Sequence, residues 1–212
     1  LHYAPLTPPP SLATSSTRAL LCEIAAQALF STRDWVRSLP PLRLLPPSLQ
    51  ARTIQTSWPQ LFLLELLHRH PGLRDEDLDT LVSPSSPPSS HITSLRTSLQ
   101  CLRSLQLSPE ELPCLRALLL FQGQDGDCGR LFQQAQLGLA QATQATSSPQ
   151  HSLRFARILL SLGATAAFSS TDVHTLFFQE TILSSGEDVA AVMDGIVLGM
   201  CGAVSQGRHS AS

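Results

Sequence analysis

The sequence contains no lysine; all fourteen basic residues are arginines. Charge of either sign is scarce, at 14% of residues against roughly a quarter in an average globular chain. The arginines are scattered singly and the formal net charge is −2. That excludes the clustered basic face a phosphate-backbone binder needs. No two of the five cysteines (Cys22, Cys101, Cys114, Cys128 and Cys201) are spaced C-x-x-C, so the chain holds no zinc finger. Cys22, Cys101 and Cys114 sit among apolar residues and read as buried free thiols in a reducing compartment. No apolar run approaches the eighteen or so residues of a membrane span. G-x-S-x-G, a glycine-rich phosphate loop and H-E-x-x-H are all missing, so no enzymatic site, metal site or cofactor is expected. His68 and His70 are two apart, which on a helix points them to different sides. The remaining histidines lie near helix ends or alone and read as solvated. Asp75, Asp77 and Asp79 imitate the start of a calcium loop. Thr80 stands where that loop needs glycine and Ser86 where it needs glutamate, so a solvated acidic turn is expected instead.

What the chain has is leucine in helical patterns. The stretch from Trp35 to Leu67 organises the rest. It reads as the end of one helix, a proline-rich corner, and a second helix apolar almost all round, which must lie buried in the middle of a domain. Two Leu-Pro steps, Leu39-Pro40 and Leu45-Pro46, mark helix boundaries, and Ser48 is a candidate N-cap. The first helix is expected from Thr17 to Leu39. The second is expected over 48–70, kinked at Pro59 and stopped by Pro71-Gly72. Further on, Leu95, Leu99, Leu102 and Leu105 form one stripe of a helix over 92–107. Ser108, Pro109 and Glu111 spell a capping box for the next helix. Helices over 130–145, 151–162 and 189–198 complete the pattern. Residues 1–16 read as a flexible Pro/Ser-rich lead, 17–198 as the domain, 83–90 as an exposed loop and 199–212 as a disordered tail. LHYAPLTPPP lacks a basic region and is not a signal peptide. A start at leucine suggests a fragment of a longer chain.

W-V-R-S-L-P, then L-P-x-x-x-Q and W-x-x-L-F-L-L, resembles the signature region of nuclear-receptor ligand-binding domains. L-x-L-S-P-E-E-x-x-C-L-R-x-L-L-L-F resembles that family's eighth helix, and L-F-F-x-x-x-I over Leu176 to Ile182 is a third family mark. Within the family the phrasing is similar to the small heterodimer partner type, orphan receptors without a zinc-finger DNA-binding domain. The resemblance implies an all-α, three-layer helical sandwich of nine or ten helices. It implies a partner groove involving Arg37, Gln50, Ile54 and Asp194, with Arg37 where the family usually carries lysine. It implies a dimer surface at Arg154 and Arg157 on the tenth family helix. It also implies a signature core of Trp35, Trp58, Leu61, Phe62, Phe177 and Phe178.

The function so implied is transcriptional regulation in the nucleus, with the cytoplasm a second compartment. The chain would act by repression, through binding other nuclear receptors and corepressors without touching DNA or membrane. A lipophilic ligand belongs to the family picture, unless large side chains fill its pocket. In the last helix Gly195 stands where the family's activating glutamate belongs, and Asp194 lies one residue early, about 100° around the helix. Two L-x-x-L-L words, Leu63–Leu67 and Leu115–Leu119, read as core rather than as docking peptides. The alternatives are a ligand-binding-domain fragment of a DNA-binding orphan receptor of the tailless or photoreceptor type, and a helical adaptor with no receptor role.

Overall fold

The structure is a computed structural model that describes residues 10–82, 89–123, 126–145, 151–179, 195–197 and 199. The described residues form helices α1 (Pro10–Ser38), α2 (Pro40–Arg43), α3 (Pro47–Arg69), α4 (Asp75–Leu78), α5 (Ser90–Leu105), α6 (Glu111–Phe121), α7 (Asp127–Ala145), α8 (His151–Thr165) and α9 (Ser170–Val173). A 3₁₀ turn (Asp79–Leu81) follows α4, and a π-helical turn (His174–Phe178) follows α9. No strand occurs among the described residues.

The helices stack in three layers. α1 packs on α3; α3, α6 and α7 form the middle; α5 and α8 lie on the far side. α3 touches α1, α5, α6 and α9, which is why its sequence is apolar on every side. Residues 57–66 of α3 are all buried. Trp58 stacks on His174 with ring centroids 5.9 Å apart, and Phe62 meets Phe177 edge-on at 5.6 Å. These ring pairs seat the π-helical turn against the central helix, a geometry worth about 0.5–1.5 kcal/mol each beyond burial.

The proline-rich corner behaves as its sequence dictates. Leu39 is extended (φ −80°, ψ 110°) before Pro40, and α2 is one turn long. α3 then starts at Pro47 with Pro46 as its extended N-cap. Ser48 therefore lies inside the first turn and caps nothing, because Pro47 already occupies the first helical position, where a missing N–H is harmless. α3 runs unbroken through the buried Pro59. α1 begins at Pro10, so residues 10–16 are helical rather than part of an extended lead. The stripe Leu95, Leu99, Leu102 and Leu105 is buried as expected. The capping box of α6 is present: the Ser108 N–H donates to Glu111 Oε2 at 2.9 Å, and the Glu111 N–H donates to Ser108 Oγ at 3.3 Å. In both L-x-x-L-L words the leucines at Leu63, Leu66, Leu115, Leu118 and Leu119 are buried, which makes them core. The 83–88 segment and nearly all of the tail lie outside the described residues.

The thiols differ from expectation. Cys22, Cys101 and Cys114 are only half-buried, and Cys128 is the fully buried one. Apolar neighbours in sequence do not decide which face of a helix a thiol occupies. Burial pushes the Cys101 and Cys114 thiols above their usual range, with the Glu111 charge adding to the shift at Cys114.

Candidate partner-docking surfaces

Arg37 is exposed at the C-terminal end of α1. Its backbone carbonyl accepts from Arg43 through Nε (3.0 Å) and Nη2, so α2 folds back to cap α1. The side-chain amide of Gln50 donates to the Leu45 carbonyl at 2.7 Å, which fixes the start of α3. Arg37 and Gln50 thus belong to one hydrogen-bonded corner. Leu44 projects from that corner and is 87% exposed. The sequence does not single it out, because the corner has no periodicity to read and consecutive leucines are buried together elsewhere, as at Leu63 and Leu64.

Ile54 does not belong to this surface. It is fully buried. Around that turn of α3, Thr53, Ile54, Ser57 and Trp58 face the core while Arg52, Gln55 and Thr56 face out. The family spacing put Ile54 in the groove, but the helix phase sets it inside. Asp194 lies outside the described residues. Gly195, Ile196 and Val197 are helical, and Val197 is buried in the core.

Two arginine–carboxylate ties hold the layers beneath these surfaces. Glu65 of α3 accepts from Ser31 Oγ of α1 at 2.7 Å and from Arg116 of α6. Arg69 lies 3.9 Å from the same carboxylate. The Arg116 guanidinium lies 5.7 Å from the Trp35 ring centroid, so half-buried Trp35 is a cation–π partner at the α1–α6 seam rather than a deep core residue. In the second tie, Arg154 Nε of α8 donates to Glu111 Oε1 at 2.8 Å. Arg154 also donates to the Leu105 and Gln106 carbonyls at the end of α5, where a cation suits the helix dipole. The Arg154 bond holds the Glu111 carboxyl below its usual range, and the same bond raises Arg154.

Arg154 is therefore half-buried, with its guanidinium committed to Glu111 and the end of α5. Charge patterning along α8 could not reveal a buried acid 43 positions earlier. Arg157 remains on the outside, with one bond to the Ser104 carbonyl at 3.3 Å. Beside it, Leu153 and Leu160 are 58% and 75% exposed, and Ala156 is exposed between them. This apolar strip is the outer face of α8.

Other expected site residues fall in the core or at its edge. Trp58, Leu61, Phe62 and Phe177 are buried, while Phe178 is half-buried and packs on Phe177 at 6.4 Å. The acidic turn is engaged by arginines: Asp75 pairs with Arg103, Asp79 with Arg96, and Asp77 closes the cap of α4. His91 is not simply solvated, because its Nδ1 lies 2.6 Å from Asp172 of α9. Asp172 in turn accepts from the Ser169 N–H at 2.7 Å, capping α9.

A family model for the ligand-binding domain of nuclear hormone receptor matches residues 7–178. The chain belongs to this family. Among curated proteins it is similar to nuclear receptor subfamily 2 group F member 6 from Mus musculus, Homo sapiens and Rattus norvegicus. Each is 30% identical over an alignment of 179 residues that covers 76% of this chain. The chain spans less than half the length of these relatives, 45%, 44% and 45% respectively. The family comprises ligand-regulated transcription factors rather than enzymes, and its ligand-binding domains bind other receptors, coregulators and lipophilic ligands. Among the described residues no helix is long and apolar enough to cross a membrane. Asp194 and Gly195 lie beyond the matched span.

Proposed function

We propose that this receptor domain represses transcription in the nucleus by binding other nuclear receptors and corepressors, as a small-heterodimer-partner-type protein would. The observation that carries the reading is exposed Arg37 at the C-terminal end of α1. Exposed Arg37 offers a cation to the C-terminal carbonyls of a docked helix, whereas the last helix carries Gly195 in place of the acid that would clamp the opposite end. Gly195 also weakens that helix by about 1 kcal/mol relative to alanine. On this reading, a final helix with glycine at that position favours partners that do not need the second clamp. The outer face of α8, with Leu153, Leu160 and Arg157, supplies the surface for a second receptor domain; a contiguous exposed apolar strip of this kind marks an interaction site. The scattered arginines and net charge of −2 support action without DNA contact by this chain.

Co-expression with a reporter driven by a second, DNA-bound nuclear receptor tests the reading. Reporter output should fall with the dose of this chain, and Arg37→Glu should relieve the effect. Enhanced output would overturn the repressor assignment.

The second reading is that the same domain serves a DNA-binding orphan receptor of the tailless or photoreceptor type. The 30% identity to nuclear receptor subfamily 2 group F member 6 is compatible with it. A lipophilic ligand is compatible with both readings, and native mass spectrometry of the purified chain would show one that co-purifies.

A further inference from the structure

From Trp35 to Leu64 the chain holds Arg37, Arg43 and Arg52 and no acidic residue. That stretch is the end of α1, all of α2 and most of α3. Elsewhere, eight of the described arginines pair with a carboxylate. Among the described residues Arg37, Arg43 and Arg52 meet none, and all three are exposed. Asp34, one turn before Arg37, is taken by Arg33, whose Nε and Nη2 lie 3.0 and 2.9 Å from it. A chain of net charge −2 thus carries uncompensated positive charge at one corner.

Arg43 is held there without being neutralised. Its Nε donates to the Arg37 carbonyl at 3.0 Å, and its Nη2 donates to the same oxygen. A carbonyl fixes the guanidinium but does not cancel its charge. A guanidinium has five donors, so others remain for a partner. The Arg52 side chain makes no hydrogen bond among the described residues. Beside these cations the surface is apolar. Leu44 is 87% exposed, and Pro40, Pro41, Pro46 and Pro47, which flank it in sequence, are exposed as well.

We propose that this corner selects partners whose docked helix runs on into an acidic segment. Carboxylates of that segment meet Arg43 and Arg52, and an apolar side chain covers Leu44. The inference rests on the docking role of Arg37 and deepens it: Arg37 receives the end of the helix, and the residues that follow meet the rest of the patch. Carboxylate–guanidinium bonds are charge-assisted and geometrically selective. Charge complementarity of this kind sets partner choice more than raw affinity.

The test is fluorescence anisotropy of the full chain with two labelled peptides. Both carry the same leucine-rich amphipathic helix; one ends in a run of glutamates, the other in a run of glutamines. The glutamate peptide should bind roughly tenfold more tightly at low salt, the scale of a few exposed ion pairs. The gap should close as salt rises. Arg43→Gln should narrow the gap, but Arg43 also ties α2 to α1. Arg52→Gln therefore provides an independent check: it should narrow the gap about threefold with the glutamine peptide and the melting temperature unchanged. Equal binding of the two peptides, or a gap unchanged by high salt or by both substitutions, would overturn the acidic selection while the docking corner stands. Displacement of the glutamate peptide by a short DNA duplex at physiological salt would overturn it too, making the patch a general polyanion site. Binding of neither peptide would overturn both the selection and the docking role on which it rests.

Discussion

α3 and α8 are both leucine-rich, yet they place their residues in opposite ways. On α3 every leucine from Leu61 to Leu66 is buried, and the one acid, Glu65, goes in with them because Ser31 and Arg116 meet it. On α8 Arg154 reaches Glu111 under the helix, while Arg157, Leu153 and Leu160 face solvent. A buried charge is tolerated where it is paired and hydrogen-bonded. An apolar side chain left outside makes no such contacts and stays in water. The comparison separates a helix buried on every side from one whose outer face meets solvent.

The largest expected effect comes from breaking the scaffold. Trp58→Ala removes a ring that is 3% exposed and stacked on His174. It should cost about 3–5 kcal/mol, a large part of a typical domain's stability. Chemical denaturation should show a clear loss in midpoint. An unchanged midpoint would mean that α3 is not the central helix.

Next comes the inverted charge on α8. Glu111→Gln leaves Arg154 under the helix without its counter-charge, at a cost of about 3 kcal/mol. The pH dependence has a definite sign. The Glu111 carboxyl is lowered in the folded state, so its stabilisation is present above the unfolded carboxyl value and disappears as pH falls through the folded one. The wild type should lose stability on acidification through that range, and Glu111→Gln should show a shallower loss. Parallel acid profiles would place the pair's contribution elsewhere.

The smallest effect on stability should come from the outer face. Leu160→Glu changes a residue that is 75% exposed and should alter folding by no more than about 0.5 kcal/mol. Sedimentation should nevertheless shift toward smaller species wherever the wild type self-associates or pairs with another receptor domain. A destabilised but equally associated variant would show that α8's outer leucines are structural.

Much of this was legible in the sequence. The proline corner, the all-apolar α3, the stripe of α5 and the Ser108–Glu111 cap each follow from local rules, because their partners lie within a few residues. The misassigned positions depended on partners far away. Arg154 meets Glu111 across 43 positions and His91 meets Asp172 across 81. Ile54 was misplaced for a different reason: motif spacing identified the helix but not its rotation about its axis. Leu44 was missed because loop residues have no periodicity to read.

The central claim is that Arg37 forms the docking rim of a receptor-binding repressor. It is tested most directly by measuring binding of the wild-type chain and Arg37→Glu to the immobilised ligand-binding domain of another nuclear receptor, with thermal melts of both proteins alongside. The account predicts measurable wild-type binding, a loss of about tenfold or more in Arg37→Glu as a cation at a helix C-terminus becomes an anion, and melting temperatures that nearly coincide because Arg37 is exposed. Equal binding by the two proteins would contradict it, and absence of wild-type binding to any receptor domain would contradict the receptor-binding role itself.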